Sequence, residues 1–356
     1  MTDRAAAHAR EADGASAGRP LVVSVPHPRT LDLIFTPEQR DVLFRRYRIV
    51  ETEPEDFAGL SDEILGSARY IVGQPAIDPE TLARLKSLRC VFNVESNLID
   101  NMPYETLFAR GIHVVTTGAV FALPVAEMGL AMALEMCRGV GAADEAFRAG
   151  REAWGGAGNR DARLLSGSDV GIIGFGDLGR ALNRVLSGFR ARVRAYDPWL
   201  PKSVLLEHGV EPTGLDDLLA GSDFVFVTAA VTSENRGFLG AEAFSRMRRG
   251  AGFILLSRAD VVDFDALMAA VASGHIRAAS DVFPQEPLAR DHTVRGLAGF
   301  LRSAHRAGAL GVAFKRMGDM VLEDMALMDR GLPPAVCKRA ERETVSRMRS
   351  RPVSTN

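Results

Sequence analysis

Three residues in the second half of the chain carry complementary chemistry: Arg258, Glu286 and His305. A guanidinium grips a carboxylate through two parallel hydrogen bonds, which a lysine cannot do. An imidazole exchanges a proton near neutral pH. A carboxylate beside it would favour the imidazolium and hold one ring tautomer by a hydrogen bond. Together such groups can fix a carboxylate, polarise a carbonyl and give or take the proton of a carbonyl/alcohol pair. Singly, each has a plainer reading: Arg258 as a strand-end cation, Glu286 as a surface acid ahead of Pro287, His305 as a loop histidine. Yet each follows an apolar strand pattern, and in an open parallel sheet the carboxyl ends of strands are where ligands bind. His292 lies in a polar Asp-His-Thr loop and reads as solvent-exposed instead.

Upstream, the apolar run Val170–Ile173 passes straight into Gly174-Phe175-Gly176-Asp177-Leu178-Gly179 and then into a helical pattern. Strand, Gly-x-Gly-x-x-Gly and helix in that order make a pyrophosphate seat. The first glycine permits the tight turn, the second lets phosphates approach bare backbone, and the third lets the helix pack close to the strand. A second strand, Arg192–Asp197, ends in an acid eighteen residues after Gly179, where a carboxylate accepts hydrogen bonds from ribose hydroxyls. Asp197 has no cation directly after it and would repel an additional 2'-phosphate, which favours NAD over NADP. Arg192 and Arg194 should point along the strand and away from its tip.

The order and spacing of glycine loop, acid, arginine, glutamate and histidine resemble the D-isomer-specific 2-hydroxyacid dehydrogenase family, phosphoglycerate dehydrogenase-like, from about residue 65 to the C-terminus. The resemblance implies a cofactor site of Gly174, Gly176, Asp177, Leu178, Gly179, Asp197, Leu256, Ser257, Arg258, Asp281, His305 and Gly308. It makes Arg258, Glu286 and His305 the catalytic set and places substrate at Glu95, Ser96, Asn97 and Arg258. It also implies NAD as cofactor, a small 2-oxo or 2-hydroxy acid as substrate, and a homodimer built on the helix Pro124–Arg138, whose Val125-Ala126-Glu127 matches the family's helix start. Met128 and Met132 would then sit in the assembly interface. Three departures bear on substrate identity. Asn93–Asn97 is not the family's glycine-rich loop and places Glu95 near a carboxylate site, Ala304 stands where proline usually precedes the histidine, and Ala259-Asp260 follows the arginine. Two further readings follow from the family: a dinucleotide-sensing interaction protein like the C-terminal-binding corepressors, and a reductase of phosphorylated or phosphonylated 2-oxo acids.

The elements that must position these residues alternate between short apolar strands and helical patterns from Leu21 onward, which predicts an α/β fold with parallel sheets. Thr36-Pro37-Glu38-Gln39 reads as a helix start with a capping box. Strands are expected at 70–72, 90–94 and 113–116, and later at 224–228, 253–256, 276–281 and 300–301. Helices are expected at 215–220, at 264–272 with Asp263 as N-cap, and along the amphipathic stretch 309–330. The family resemblance arranges these as two Rossmann-like, doubly wound domains. An NAD-binding domain, 123–308, is inserted in a discontinuous flavodoxin-like substrate domain, 20–122 and 309–356. Residues 1–19 are rich in Ala, Gly and charge and read as a disordered tail.

With 356 residues, 47% hydrophobic and 25% charged, the chain fits a soluble protein of about two domains. A net charge of −2 gives no overall basic surface for nucleic acid or anionic membranes. The apolar run Leu123–Cys137 contains Glu127 and Glu135 and is shorter than the ~20 residues a bilayer requires. Cys90, Cys137 and Cys337 are odd in number and widely spaced, so neither a disulfide framework nor a zinc site is expected, and a cytoplasmic setting is.

Overall fold

The computed structural model describes residues 18–95, 98–232 and 234–346. Most of the expected N-terminal tail, and Ser96 and Asn97 of the expected substrate loop, lie outside these residues. The chain divides into two compact units. One comprises the residues up to Val120 and those from Leu310 onward, and the other is Phe121–Ala309.

The first unit contains strands β1 (Leu21–Val25), β2 (Arg48–Glu51), β3 (Ala68–Gly73), β4 (Cys90–Asn93) and β5 (His113–Thr116). The second contains β6 (Asp169–Ile173), β7 (Arg192–Tyr196), β8 (Glu211–Pro212), β9 (Phe224–Val227), β10 (Gly252–Leu255), β11 (Arg277–Ser280) and β12 (Phe300–Arg302), and β13 (Lys338–Arg339) returns to the first. Sheet one has the order β13-β5-β4-β3-β1-β2, parallel except for β13. Its β2-β1-β3-β4-β5 core is the flavodoxin-like order, with the switch point between β1 and β3. Sheet two, β12-β11-β10-β9-β6-β7-β8, is parallel throughout and reverses between β9 and β6. Strands β4, β9 and β10 are buried at every residue, as expected where helices cover both faces of a parallel sheet.

Local chemistry sets the helix starts. Thr36 Oγ1 accepts from Gln39 N at 3.2 Å and Gln39 Oε1 accepts from Thr36 N at 2.7 Å, which closes the capping box of helix Pro37–Arg46. Asp263 caps helix Phe264–Ala272 through Ala266 N. The late strand β13, invisible to periodicity because it is two residues long, is held by helix Gly311–Asp329. Its fully buried Asp324 collects the amides of Ala335, Val336 and Cys337 at 2.7–2.9 Å. That grip delivers Lys338 and Arg339 to the edge of β5.

Two expectations for helix Ala122–Arg138 need correction. Met132 is 3% exposed, so it belongs to the core of its own unit and not to an assembly surface. The reason is Gly129: an added Cβ there would lie 2.5 Å from Leu256 Cδ1, so the helix packs hard against the sheet on the face that Met132 shares. The helical run is also longer than the apolar segment suggested, because the 3-10 turn Gly118–Phe121 feeds into it. By length and composition Gly118–Arg138 would suffice to cross a membrane, but its inward face is packed in the second unit. The three cysteines are buried and free, and burial raises each thiol pKa.

Candidate active site

Strand β6 ends at Ile173, beside the point where sheet two reverses, and the glycine loop follows directly. Gly174 has φ +89° and lies where a Cβ would meet Ala229 Cα at 2.5 Å. Both facts require glycine. A Cβ on Gly179 would lie 2.4 Å from Gly174 O, so the helix closes tightly on the strand end. At Gly176, in contrast, an added Cβ meets nothing within 4 Å. This middle glycine borders open space at the start of helix Asp177–Leu186, which carries no side-chain cap, so the positive end of its dipole is available to an anion. Thr228, which the sequence did not single out, donates its hydroxyl to Gly174 O at 2.5 Å and braces the turn.

Asp197 stands at the tip of β7. One carboxylate oxygen accepts from Phe175 N at 2.7 Å and the other from Trp199 N at 2.9 Å, so the acid is tied to the glycine loop itself. A carboxylate has about four acceptor positions, and two backbone amides leave capacity for ribose hydroxyls. Arg192 pairs with Asp169 at 2.8 Å and Arg194 approaches it at 3.8 Å. Because Asp169 is registered with Arg192 at the amino end of the two strands, both cations are drawn away from Asp197, which lies five residues on from Arg192, about 16 Å at 3.3 Å per residue.

The three chemically matched residues come together at the carboxyl end of this sheet. His305 Nδ1 lies 2.5 Å from Glu286 Oε2. Glu286 Oε1 accepts from Phe283 N at 2.8 Å, so the carboxylate is held from both sides. Burial alone would push the Glu286 carboxyl up, but the hydrogen bonds from His305 and Phe283 and the charges of His305 and Arg258 outweigh it and hold its pKa below the ordinary value. Arg258 follows β10 at the same carboxyl edge, and its charge contributes to lowering the Glu286 pKa. Arg258 also donates Nη1 to Ser257 O at 2.7 Å. Ser257 itself is buried, with an Oγ that has no hydrogen-bond partner among the described residues.

His305 adopts φ +48°, one of two non-glycine residues with positive φ among those described. Such a conformation costs of order 1 kcal/mol or more and persists only where the surroundings enforce it. Here Asp281 enforces it. His305 N donates to Asp281 O at 2.7 Å, and the buried carboxylate accepts from Arg306 N at 3.1 Å and Ala307 N at 3.0 Å. Asp281 therefore sculpts the loop that presents the imidazole, a role not legible from its strand-end position alone. Nε2 has no hydrogen-bond partner among the described residues and is the ring nitrogen that Glu286 does not hold. Leu256 is buried with its side chain against Gly129, and Gly308 is packed on Phe121, where a Cβ would come within 2.9 Å. His292 is corrected: it is half-buried, and its Nδ1 accepts from Val294 N at 3.2 Å to cap a short 3-10 turn.

In the first unit, Glu95 follows β4 at that sheet's carboxyl edge. Its carboxylate forms a two-pronged pair with Arg29, at 3.0 Å on each contact. Arg29 also donates to Val94 O at 2.9 Å and lies 4.8 Å from the centroid of the Phe314 ring. Arg29 was missed in the sequence because 66 positions separate it from its partner. It follows β1, next to the β1/β3 switch point, the place where such sheets bind ligands.

Comparison with known proteins bears on this geometry. The family model for the D-isomer specific 2-hydroxyacid dehydrogenase NAD binding domain matches residues 130–307. A solved phosphoglycerate oxidoreductase from Rhizobium etli is 69% identical, with 91% of this chain and 99% of that one aligned at a TM-score of 0.85. A glyoxylate reductase of Korarchaeum cryptofilum is 34% identical over 267 residues, 72% of this chain and 78% of the relative. The D-3-phosphoglycerate dehydrogenase of Mycobacterium bovis is 32% identical over 263 residues but is matched over only 49% of its length, so the chain spans about half of that relative. The glycine loop, the tethered Asp197 and the orphaned Ser257 hydroxyl fit the cofactor for which that domain is named, and the second unit is an NAD-binding domain. On the strength of its matching domain and of relatives covered over most of their length, the chain belongs to the D-isomer specific 2-hydroxyacid dehydrogenase family.

Proposed function

We propose that the protein is an NAD-dependent oxidoreductase that interconverts a 2-oxo acid and a D-2-hydroxy acid. The observation that carries this reading is the His305–Glu286 pair at 2.5 Å, with the Arg258 charge acting on the same carboxylate. Gly174, Gly176, Asp177, Leu178 and Gly179 would hold the pyrophosphate, Asp197 the ribose, and Leu256, Ser257, Asp281 and Gly308 the nicotinamide side. When bound, the cofactor supplies or accepts the hydride. Arg258 binds the substrate carboxylate through its fork and draws charge from the adjacent carbonyl. In reduction, the His305 imidazolium donates the Nε2 proton to the nascent alkoxide, and in oxidation the neutral ring takes it back. Glu286 keeps the proton on Nδ1 and stabilises the charged ring. The test is oxidation of NADH with a panel of 2-oxo acids by the purified chain. Turnover with none of them would overturn the reading.

Among substrates, the names of the relatives favour a phosphorylated three-carbon acid. Glu95 with its partner Arg29 is the pair proposed to read the part of the substrate beyond the carboxylate, together with Ser96 and Asn97. The assembly proposed is a homodimer through the outward face of helix Ala122–Arg138 and the segment after it. Leu123, Val140, Phe147, Trp154 and Leu164 are 49–75% exposed there, too much apolar surface in 42 residues to leave in water without a partner. A stable monomer in sedimentation at micromolar concentration would sink it. A cytoplasmic location is proposed from the three free, buried thiols.

A further inference from the structure

Sheet one has a second feature, at the edge opposite Glu95. An open cavity of about 500 Å³ is lined by Arg69, Lys86, Ser87, Leu88, Arg89, Arg110 and Ile112. These residues immediately precede or begin β3, β4 and β5, so the cavity lies at the amino ends of the strands. Four cations line it and no acid does, in a chain whose 45 acids outnumber its 43 lysines and arginines.

The four cations differ in whether they have a structural role. Arg110 has one: it donates to Leu82 O at 2.6 Å and Leu85 O at 2.5 Å and so caps the end of helix Pro79–Arg84, which also fixes its guanidinium at the cavity wall. Arg69 lies 3.7 Å from Asp329, an acid that also accepts from Tyr47 and Tyr70 at 2.6 and 2.8 Å. Lys86 and Arg89 have neither use. Both are exposed, and neither forms an ion pair within 4 Å among the described residues. Helix C-termini at this edge account for one capping arginine, not for two additional cations converging on the same hollow.

The geometry points to a binding site for a small, multiply charged phosphate-bearing anion at the amino edge of sheet one, read by Lys86 and Arg89 with Arg110 as the fixed wall. Its volume falls within the usual ~300–1,000 Å³ of small-molecule sites and accommodates a compact ligand. The largely cationic lining selects an anion over an apolar molecule. Strands of four to six residues separate this edge from the carboxyl edge carrying Glu95, so the two positions are distinct.

Inorganic pyrophosphate is the probe, titrated calorimetrically into the full chain saturated with NADH so that the glycine loop is occupied. Saturable binding is expected, weakened about tenfold by Arg89→Glu and abolished by Lys86→Glu/Arg89→Glu. Turnover of the double variant should stay within about twofold of the parent, and Arg258→Gln should still bind the probe. Absence of saturable heat at millimolar pyrophosphate would overturn the site, as would undiminished binding in the double variant or loss of binding in Arg258→Gln. A single-stranded RNA that bound through these lysine and arginine residues while pyrophosphate did not would replace the small-anion assignment with a polymer.

Discussion

The carboxyl edges of the two sheets hold their charged residues in different ways. At the edge of sheet two, main-chain amides do most of the holding: Phe283 N on Glu286, Arg306 N and Ala307 N on Asp281, Phe175 N and Trp199 N on Asp197. At the edge of sheet one, Glu95 is held chiefly by another side chain, Arg29, which in turn rests on Phe314. Amides fixed by the backbone position a group without further ordering cost, which is what proton and hydride chemistry demands. A pair of flexible charges is easier to alter without rebuilding the strands, which is what substrate discrimination demands. On this comparison, substitutions at the first edge should change rate, cofactor choice or pH profile, and substitutions at the second should change KM.

The largest effect is expected at His305. His305→Asn removes the proton donor but keeps a side chain tolerant of positive φ, so the loop should survive while turnover falls about 100-fold or more. Near-normal turnover would break the assignment of chemistry to this edge. Next comes Asp197→Ala, which deletes a repulsive charge and the acceptor for ribose hydroxyls. The NADH-over-NADPH preference should shrink by about 1–3 kcal/mol in relative affinity, measured by fluorescence titration of both cofactors. A parent enzyme that bound NADPH more tightly than NADH would refute the role of this acid.

The same contrast explains what the sequence disclosed. The glycine loop, Asp197, the capping box at Thr36 and the Asp263 cap are local signals, with partners within a few residues or in a fixed strand-turn-helix frame. All were readable. The order of charged residues along the chain was also readable, since each follows a strand, and a parallel sheet aligns its strand ends. What could not be read depends on distant pairing. Arg29 meets Glu95, and Asp324 gathers amides eleven to thirteen residues away to place a two-residue strand. Met132 carries the same apolar signature whether it faces its own sheet or a partner, and only Gly129 against Leu256 decides the matter. The positive φ of His305 likewise follows from Asp281, 24 positions earlier.

Glu286→Gln sharpens the comparison further. Its carboxyl pKa lies below the ordinary value, so it is ionised throughout the neutral range and stays so under mildly acid conditions. The attraction to a protonated His305 is mutual. Removing the negative charge therefore disfavours the imidazolium, and reduction, which consumes that proton, should decline at lower pH. A displacement of the alkaline limb toward lower pH is expected, with NADH affinity little changed. The opposite limb tests the sign: in the oxidative direction the rising limb should also move to lower pH, because the neutral ring is then available sooner. An unchanged profile in both directions would remove Glu286 from the proton chemistry.

The smallest effect is predicted for Glu95→Gln. The pair with Arg29 is partly open to water, with side chains 16% and 38% exposed, so its loss should cost no more than about 1 kcal/mol of stability. Arg29 keeps its bond to Val94 O and its place on Phe314, so the guanidinium stays where it is while its neutralising charge disappears. The edge of sheet one then gains one net positive charge. For an anionic substrate at an effective dielectric between that of water and protein, this is worth about 1 kcal/mol, or roughly a fivefold lower KM. The gain should shrink with added salt, and kcat should hold constant because the groups of the other edge are untouched. Arg29→Met makes the reciprocal test, since it removes the cation beside Glu95 and should raise KM for the same acids. A fall in kcat for Glu95→Gln at constant KM would erase the proposed division between the two edges. A raised KM would instead make Glu95 a direct partner of a hydroxyl or cationic group on the substrate.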